Sequence, residues 1–201
     1  ASKLRVNMMF QSRPFLPVSL LLAGFLLAGC AGSPPVQDHD YLLRPQKLMV
    51  GSGSRSVVQL KPVAVAPYLD QKGMVLQTGD TEVRVAKHHR WAEPLDEAVE
   101  RYLQVSIANQ ANVTVESGPL TTSSEDATVT LRINQLHGSE SGQVRLVADW
   151  KVDRGAQGSV LHSFDQTTRQ TADGYPALVD AHAVLLDELG RAIADSLEQA
   201  N

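Results

Sequence analysis

The chain has one cysteine, Cys30, in 201 residues. No disulfide can form within it, so bridges add nothing to its stability in any redox compartment. It has no surplus of positive charge: 18 Lys and Arg stand against 22 Asp and Glu, a formal net charge of −4. Neutralising phosphates needs clustered Lys and Arg, so nucleic acid is not an expected partner, and neither is a polybasic grip on a membrane. It has no apolar run of the roughly 20 residues that a membrane-crossing helix needs. Phe15 to Ala28 is uncharged and mostly apolar but covers 14 residues and includes Pro17. Chemistry is missing too. There is no G-x-S-x-G elbow, Walker loop or dinucleotide fingerprint. No pair of carboxylates shares an apolar face, as acid–base catalysis would require. These absences argue against an enzyme and against a bound cofactor.

What is present begins at the N-terminus. Lys3, Arg5 and Arg13 precede the apolar run, and no acidic residue occurs before Asp38. A basic segment, a short apolar segment and small residues at its end are the three parts of a secretory signal. The run closes on Leu27-Ala28-Gly29-Cys30, which resembles the lipobox of bacterial lipoproteins. Three readings of Cys30 compete. A buried core cysteine fits badly, because Ala31-Gly32-Ser33-Pro34-Pro35 follows at once and reads as linker. A disulfide has no partner in the chain. Lipidation explains the apolar run, the small residues and the lone cysteine together. The expected organisation is therefore a signal peptide over 1–29, a lipidated Cys30 and tether over 30–39, and a periplasmic domain over 40–201. Removing 1–29 removes three positive charges and no negative one, which takes the net charge from −4 to −7. The remaining length suits one domain with a single core.

Beyond the tether, Asp40 to Leu43 reads as a first edge strand, and Gly51-Ser52-Gly53-Ser54 as a loop. Val57 to Tyr68 reads as one strand buried on both sides, with Pro62 and Pro67 near its ends. Met74–Gln77 and Thr81–Val85 flank Thr78-Gly79-Asp80 and predict a hairpin. Pro94 to Gln110 predicts a helix, with Pro94 at its first position and Leu95, Val99, Tyr102, Leu103 and Ile107 on one stripe. Val113 to Glu116 is a short strand and Ser117 to Asp126 a polar loop. From Ala127, Val144 and Val160 start three alternating strands, an antiparallel meander with one packed face. Pro176 to Gln199 predicts a second helix, with His182 inside its apolar stripe. The fold class is α+β: a two-layer sandwich of a mostly antiparallel sheet with two amphipathic helices on one face.

Six histidines invite a metal reading. His88 and His89 are adjacent, and no Glu or Cys stands at zinc-site spacing, so they read as a solvated loop and no metal is expected. His182 reads as a hydrogen-bonded core or interface residue. His39, His137 and His162 fall in the tether, at a turn and in a strand, with no shared motif. Trp91 has two readings: a cap over the sheet end, or a partner contact, since Trp and Arg are favoured interface anchors. Trp150 reads as core.

Val63-Ala64-Val65-Ala66-Pro67-Tyr68-Leu69-Asp70, then Met74-Val75, then Arg90-Trp91-Ala92-Glu93-Pro94-Leu95 ahead of a helix, together resemble the ABC-type transport auxiliary lipoproteins, in particular the PqiC-like type of the paraquat-inducible system. Tyr41-Leu42-Leu43 after a short tether is similar as well. The resemblance implies a non-catalytic envelope component whose only cofactor-like group is the covalent lipid on Cys30. It implies a system with an integral inner-membrane protein (PqiA-like) and a periplasmic MCE-domain protein (PqiB-like) that moves lipid between the two membranes of a Gram-negative bacterium. The lipoprotein would sit on the periplasmic face of the outer membrane, receive the end of the MCE tunnel and form a ring-shaped homo-oligomer. Ala31 fits that location, because Asp at this position is the usual inner-membrane retention signal. Arg90, Trp91 and Pro94 would border a partner surface. Two alternatives stay open: a carrier that holds an acyl chain between sheet and helices, and a structural envelope lipoprotein without a transport role.

Overall fold

Residues 36–45, 56–118 and 126–198 are described by a computed structural model. The lipobox Leu27–Cys30, the Gly51–Ser54 segment and most of the 117–126 loop lie outside the described residues. The elements follow in the order β1 (His39–Tyr41), β2 (Val57–Leu60), β3 (Ala64–Val65), β4 (Gly73–Gln77), β5 (Val83–Trp91), α1 (Leu95–Ala111), β6 (Thr114–Ser117), β7 (Ala127–Ser139), β8 (Gln143–Asp153), a 3-10 turn (Gly155–Gln157), β9 (Ser159–Arg169) and α2 (Tyr175–Glu198).

The strongest alternation makes the longest strands. β7, β8 and β9 form the expected antiparallel meander, with Leu131 opposite Trp150 and Trp150 opposite His162. On β8 the residues Val144, Leu146, Ala148, Trp150 and Val152 are buried, while Gln143, Arg145 and Lys151 between them are exposed. That is the period of two that one packed face and one wet face demand. Trp150 is core, as its place in the alternation implied, and its indole N–H donates to Ser196 Oγ at 3.0 Å.

The other edge of β7 is shared. β2 pairs with its first residues, β3 with its middle and β4 with its last, all in parallel. β4 turns into β5 as the predicted hairpin, β1 lies parallel to β5 and β6 parallel to β2. The sheet is thus mixed: the long ladders are antiparallel and the short ones parallel. With two helices packed on it, the architecture is the expected α+β sandwich.

Some boundaries differ from the sequence reading. Val57 to Tyr68 is two short strands, because Pro62 has no N–H to donate and interrupts the ladder. Val58, Gln59 and Leu60 are buried in succession, so β2 is covered on both sides as read, whereas Ala64 is exposed and β3 is not. Pro94 stands just ahead of α1, with extended φ −53° and ψ 133°, instead of being its first helical residue. The edge strand begins at His39, inside the segment read as tether.

The helices bury the stripes that their spacing foretold, and they also contact each other. Tyr102 is fully buried, and its hydroxyl lies 3.1 Å from Ala183 O and 3.0 Å from Asp187 Oδ1 on α2. Gly190 permits this approach: a Cβ there would sit 2.9 Å from Ser106 Cβ and closer still to its hydroxyl. Gly190→Ala should therefore destabilise the fold by about 1–3 kcal/mol, the usual scale of overpacking, although Ala is the better helix former. Urea denaturation checks this; an unchanged midpoint would mean that the helices separate without cost.

Candidate functional site

Among the described residues no catalytic constellation stands out, and the informative place is where the first described segment joins the sheet. Asp38-His39-Asp40-Tyr41 meets His88-His89-Arg90-Trp91 in parallel, with His39 opposite His89, Asp40 opposite Arg90 and Tyr41 opposite Trp91. Alternation splits each four-residue run into two faces. Acids meet bases on one. Arg90 Nη1 lies 2.9 Å from Asp38 Oδ2, Arg90 Nε donates to Asp40 Oδ1 at 3.1 Å, and His88 Nδ1 lies 2.8 Å from Asp38 Oδ1. The His88 hydrogen bond holds the Asp38 carboxyl below its ordinary range, against partial desolvation.

Aromatic rings meet on the other face. His89 stacks on Tyr175 with centroids 3.7 Å apart and planes 11° apart, and His39 stacks on His89 at 5.1 Å. Tyr41 Oη lies 2.9 Å from His89 Nδ1. Tyr175 is the first residue of α2, so the seam ties both layers to the three-residue strand β1. Ala92 N–H then donates to Tyr41 O at 2.8 Å. Two residues beyond β1, Leu43 is 4 % exposed. Burying a leucine contributes about 2 kcal/mol, more than a surface ion pair.

Each candidate residue from the sequence has a definite place, apart from Leu27, Ala28, Gly29 and Cys30, which lie outside the described residues. Trp91 is 6 % exposed and tilts against His182 with centroids 5.6 Å apart. Arg90 is partly exposed and engaged with two carboxylates, and Pro94 is exposed beside it. His88 and His89 are not in a solvated loop: both lie on β5, drawn into the sheet by pairing with β1. His137 is not at a turn but inside β7, 6 % exposed and next to the Tyr68 ring. His162 lies in a strand as expected and stacks on Trp150 at 5.1 Å. His182 is buried as read, but neither ring nitrogen has a hydrogen-bond partner among the described residues. Among those residues no three His, Cys, Asp or Glu side chains group as metal ligands. Sequence reading missed Asp38, His39 and Tyr175. The signal was there: an acid–aromatic alternation at 38–41 complements a base–aromatic alternation at 88–91.

Two clefts open near the β7–β8 turn. One of about 330 Å³ is lined by residues including Leu76, Arg84, Ser139, Glu140, Asp173 and Tyr175. The other, of about 370 Å³, is lined by residues including Gln77, His137, Arg145, Asp165 and Thr167. Their walls are largely polar, unlike the apolar walls that an acyl chain needs.

The histidines set a pH dependence. Burial depresses His182 to about 3, with His137 adding to the shift. His137 is lowered first by burial and then by Arg145, and His89 first by burial and then by His39 and His88. Each folded pKa lies below its unfolded value near 6.5. The unfolded chain therefore takes up protons that the folded chain refuses, and stability present above pH 6.5 is lost as the pH falls toward 3. His182 alone should cost about 2 kcal/mol between pH 7.5 and pH 5. Denaturation at the two pH values measures it; in His182→Leu the difference should shrink by about that amount, and an unaltered difference would refute the assignment.

Comparison with known proteins adds a family. Residues 41–194 match the family described as ABC-type transport auxiliary lipoprotein component. No curated protein matches the chain. The crystal structure of an uncharacterized protein superposes with a TM-score of 0.70 at 24 % identity, covering 80 % of this chain and 99 % of that one. Protein XCC0632 from Xanthomonas campestris superposes with a TM-score of 0.65 at 10 % identity, covering 78 % of this chain and 92 % of that one. At such identities these two similarities speak to the fold alone.

Proposed function

The chain belongs to the ABC-type transport auxiliary lipoprotein family, and we propose that it works as the outer-membrane-anchored subunit of an MCE/Pqi-type system that moves lipid between membranes and supports envelope integrity. In this reading acylated Cys30 holds the domain on the periplasmic face. A ring of copies receives the periplasmic MCE-domain protein (PqiB-like), which connects to an integral inner-membrane protein (PqiA-like). The mechanism is positional, and it asks no side chain to make or break a bond.

The observation that carries the proposal is the family match over residues 41–194, which takes in nearly all the elements from the β1–β5 seam to the last turns of α2. The interior supports docking over carriage of lipid. Leu131, Ile133, Leu146, Leu185, Leu186 and Leu189 between sheet and helices are all at most 1 % exposed and belong to one contiguous cluster. Side chains already occupy the space that a carrier would keep for an acyl chain. The anchor follows membrane arithmetic: one acyl chain binds only marginally, and stable anchoring takes two or more signals, which the several chains of a mature lipoprotein would supply.

Two measurements test this reading. Cys30→Ala should move the protein from the membrane fraction to the soluble periplasm, and retention of the variant at the membrane would defeat the anchor. Photo-crosslinkers at exposed positions next to Arg90 and at Pro94 should capture the MCE protein in cells, and a clean negative from crosslinkers placed around the whole domain would defeat docking.

A further inference from the structure

The β4–β5 arm carries apolar surface that the domain does not cover. Val83 and Val85 are 43 % and 39 % exposed, and every residue from Gly79 to Val85 is exposed. The i, i+2 spacing puts the two valines on one face, while Arg84 on the other face reaches Glu140 at 3.8 Å. Lys87 is exposed farther along the strand. β1 pairs only with residues 89–91, so among the described residues the outer edge of β5 from Val83 to Lys87 has no neighbouring strand.

Pairing direction tells where this arm points. Because β1 and β5 are parallel, β1 traced back from Tyr41 to His39 runs in the direction that leads from His89 to the β4–β5 turn. His39 is nine residues from Cys30, a reach of at most about 30 Å. Arg90 pairs with Gly73 and Val83 with Gln77, so β5 holds three more residues than β4 between these pairs and the arm is about 13 Å long. The turn of the arm therefore lies within the distance that the tether can open. The far end of the domain is fixed as well. Gln77, paired with Val83 at the turn end of the arm, is level with Ser139, the last residue of β7, whereas the β8–β9 tip is level with Thr128 at the start of β7. Leu161, 74 % exposed, sits at that opposite end.

We propose that the Val83–Val85 face of the β4–β5 arm, with Lys87 farther along the strand, rests on the lipid surface in which the acyl chains of Cys30 are embedded. The inference depends on Cys30 being the anchor. Asp80 and Glu82 at the arm's turn oppose any purely cationic attraction, so the contact is weak alone and is made by proximity. The tether holds the arm at high local concentration against headgroups, where valines reach the acyl boundary and the Lys87 side chain extends to phosphates.

The test uses the full lipidated chain in vesicles of phosphatidylethanolamine and phosphatidylglycerol, with Val83→Cys or Leu161→Cys carrying an environment-sensitive fluorophore; the acylated Cys30 thiol takes no label. Vesicle flotation reads the anchor, and quenching by lipids spin-labelled near the headgroup reads the contact. Quenching should be several-fold stronger at position 83 than at 161. Protein that floats with equal or reversed quenching overturns the arm contact alone. Protein that does not float overturns the anchor, and the arm contact with it.

Discussion

One antiparallel ladder carries the rest of the molecule. β7 holds β8 along one edge and offers the start, middle and end of its other edge to three strands of two to five residues. None of β2, β3 and β4 has the length to stand alone, and each is held by pairing to a strand that is already buried and twisted into place. The two sides of β7 also differ in character. Antiparallel pairing with β8 joins neighbours in sequence through a short turn. Parallel pairing with β2, β3 and β4 joins segments 50 or more residues distant in the chain. Ordering of the meander is thus the precondition for the seam between β1 and β5, which reaches β7 only through β4.

The seam turns this scaffold into something with a direction. A three-residue parallel edge strand is a weak element, and its exposed ion pairs are screened by salt. The sequence reinforces it in three independent ways: acids against Arg90 and His88 on one face, stacked rings against Tyr175 on the other, and Leu43 driven into the core. With Cys30 acylated as proposed, any pull from the membrane enters the domain through β1. A pull along the axis of β1 would load the seam in shear, across several contacts at once, instead of peeling them one at a time.

Much of this was legible in the sequence where one force dominates. The meander and both helices were readable because hydrophobic period and burial agree: Val144 to Val152 alternate because one face is packed, and Leu178 to Leu197 recur at helical spacing for the same reason. Failures came where a partner distant in sequence decides. His88-His89-Arg90 is polar, and polarity alone says loop; the run is a strand because 38–41 lies beside it. His137 is buried because β7 continues through a point that local signals marked as a turn. The single strand expected over 57–68 splits because the ladder on β7 tolerates Pro62 only as an interruption. The lipobox, the sharpest signal in the sequence, lies outside the described residues, and its reading stands on sequence pattern and family membership.

His182 carries a cost that the fold accepts. A buried imidazole with no hydrogen-bond partner costs stability, and a leucine at that point in the stripe would pack without that cost. Yet the ring lies against Trp91, the last of the seam residues on β5, and burial pushes its pKa down to about 3. The residue therefore cannot work as a proton donor or switch near neutrality. What it supplies is a flat ring, and flat rings recur from this point outward: Trp91 on His182, then Tyr175 on His89, and His89 on His39. These are two separate sets of rings, Trp91 on His182 in the core and Tyr175, His89 and His39 at the edge strand, and β5 carries a member of each. A leucine would conserve burial but break the ring contact on which Trp91 rests, so the polar cost is coupled to the packing of the strand that pairs with β1.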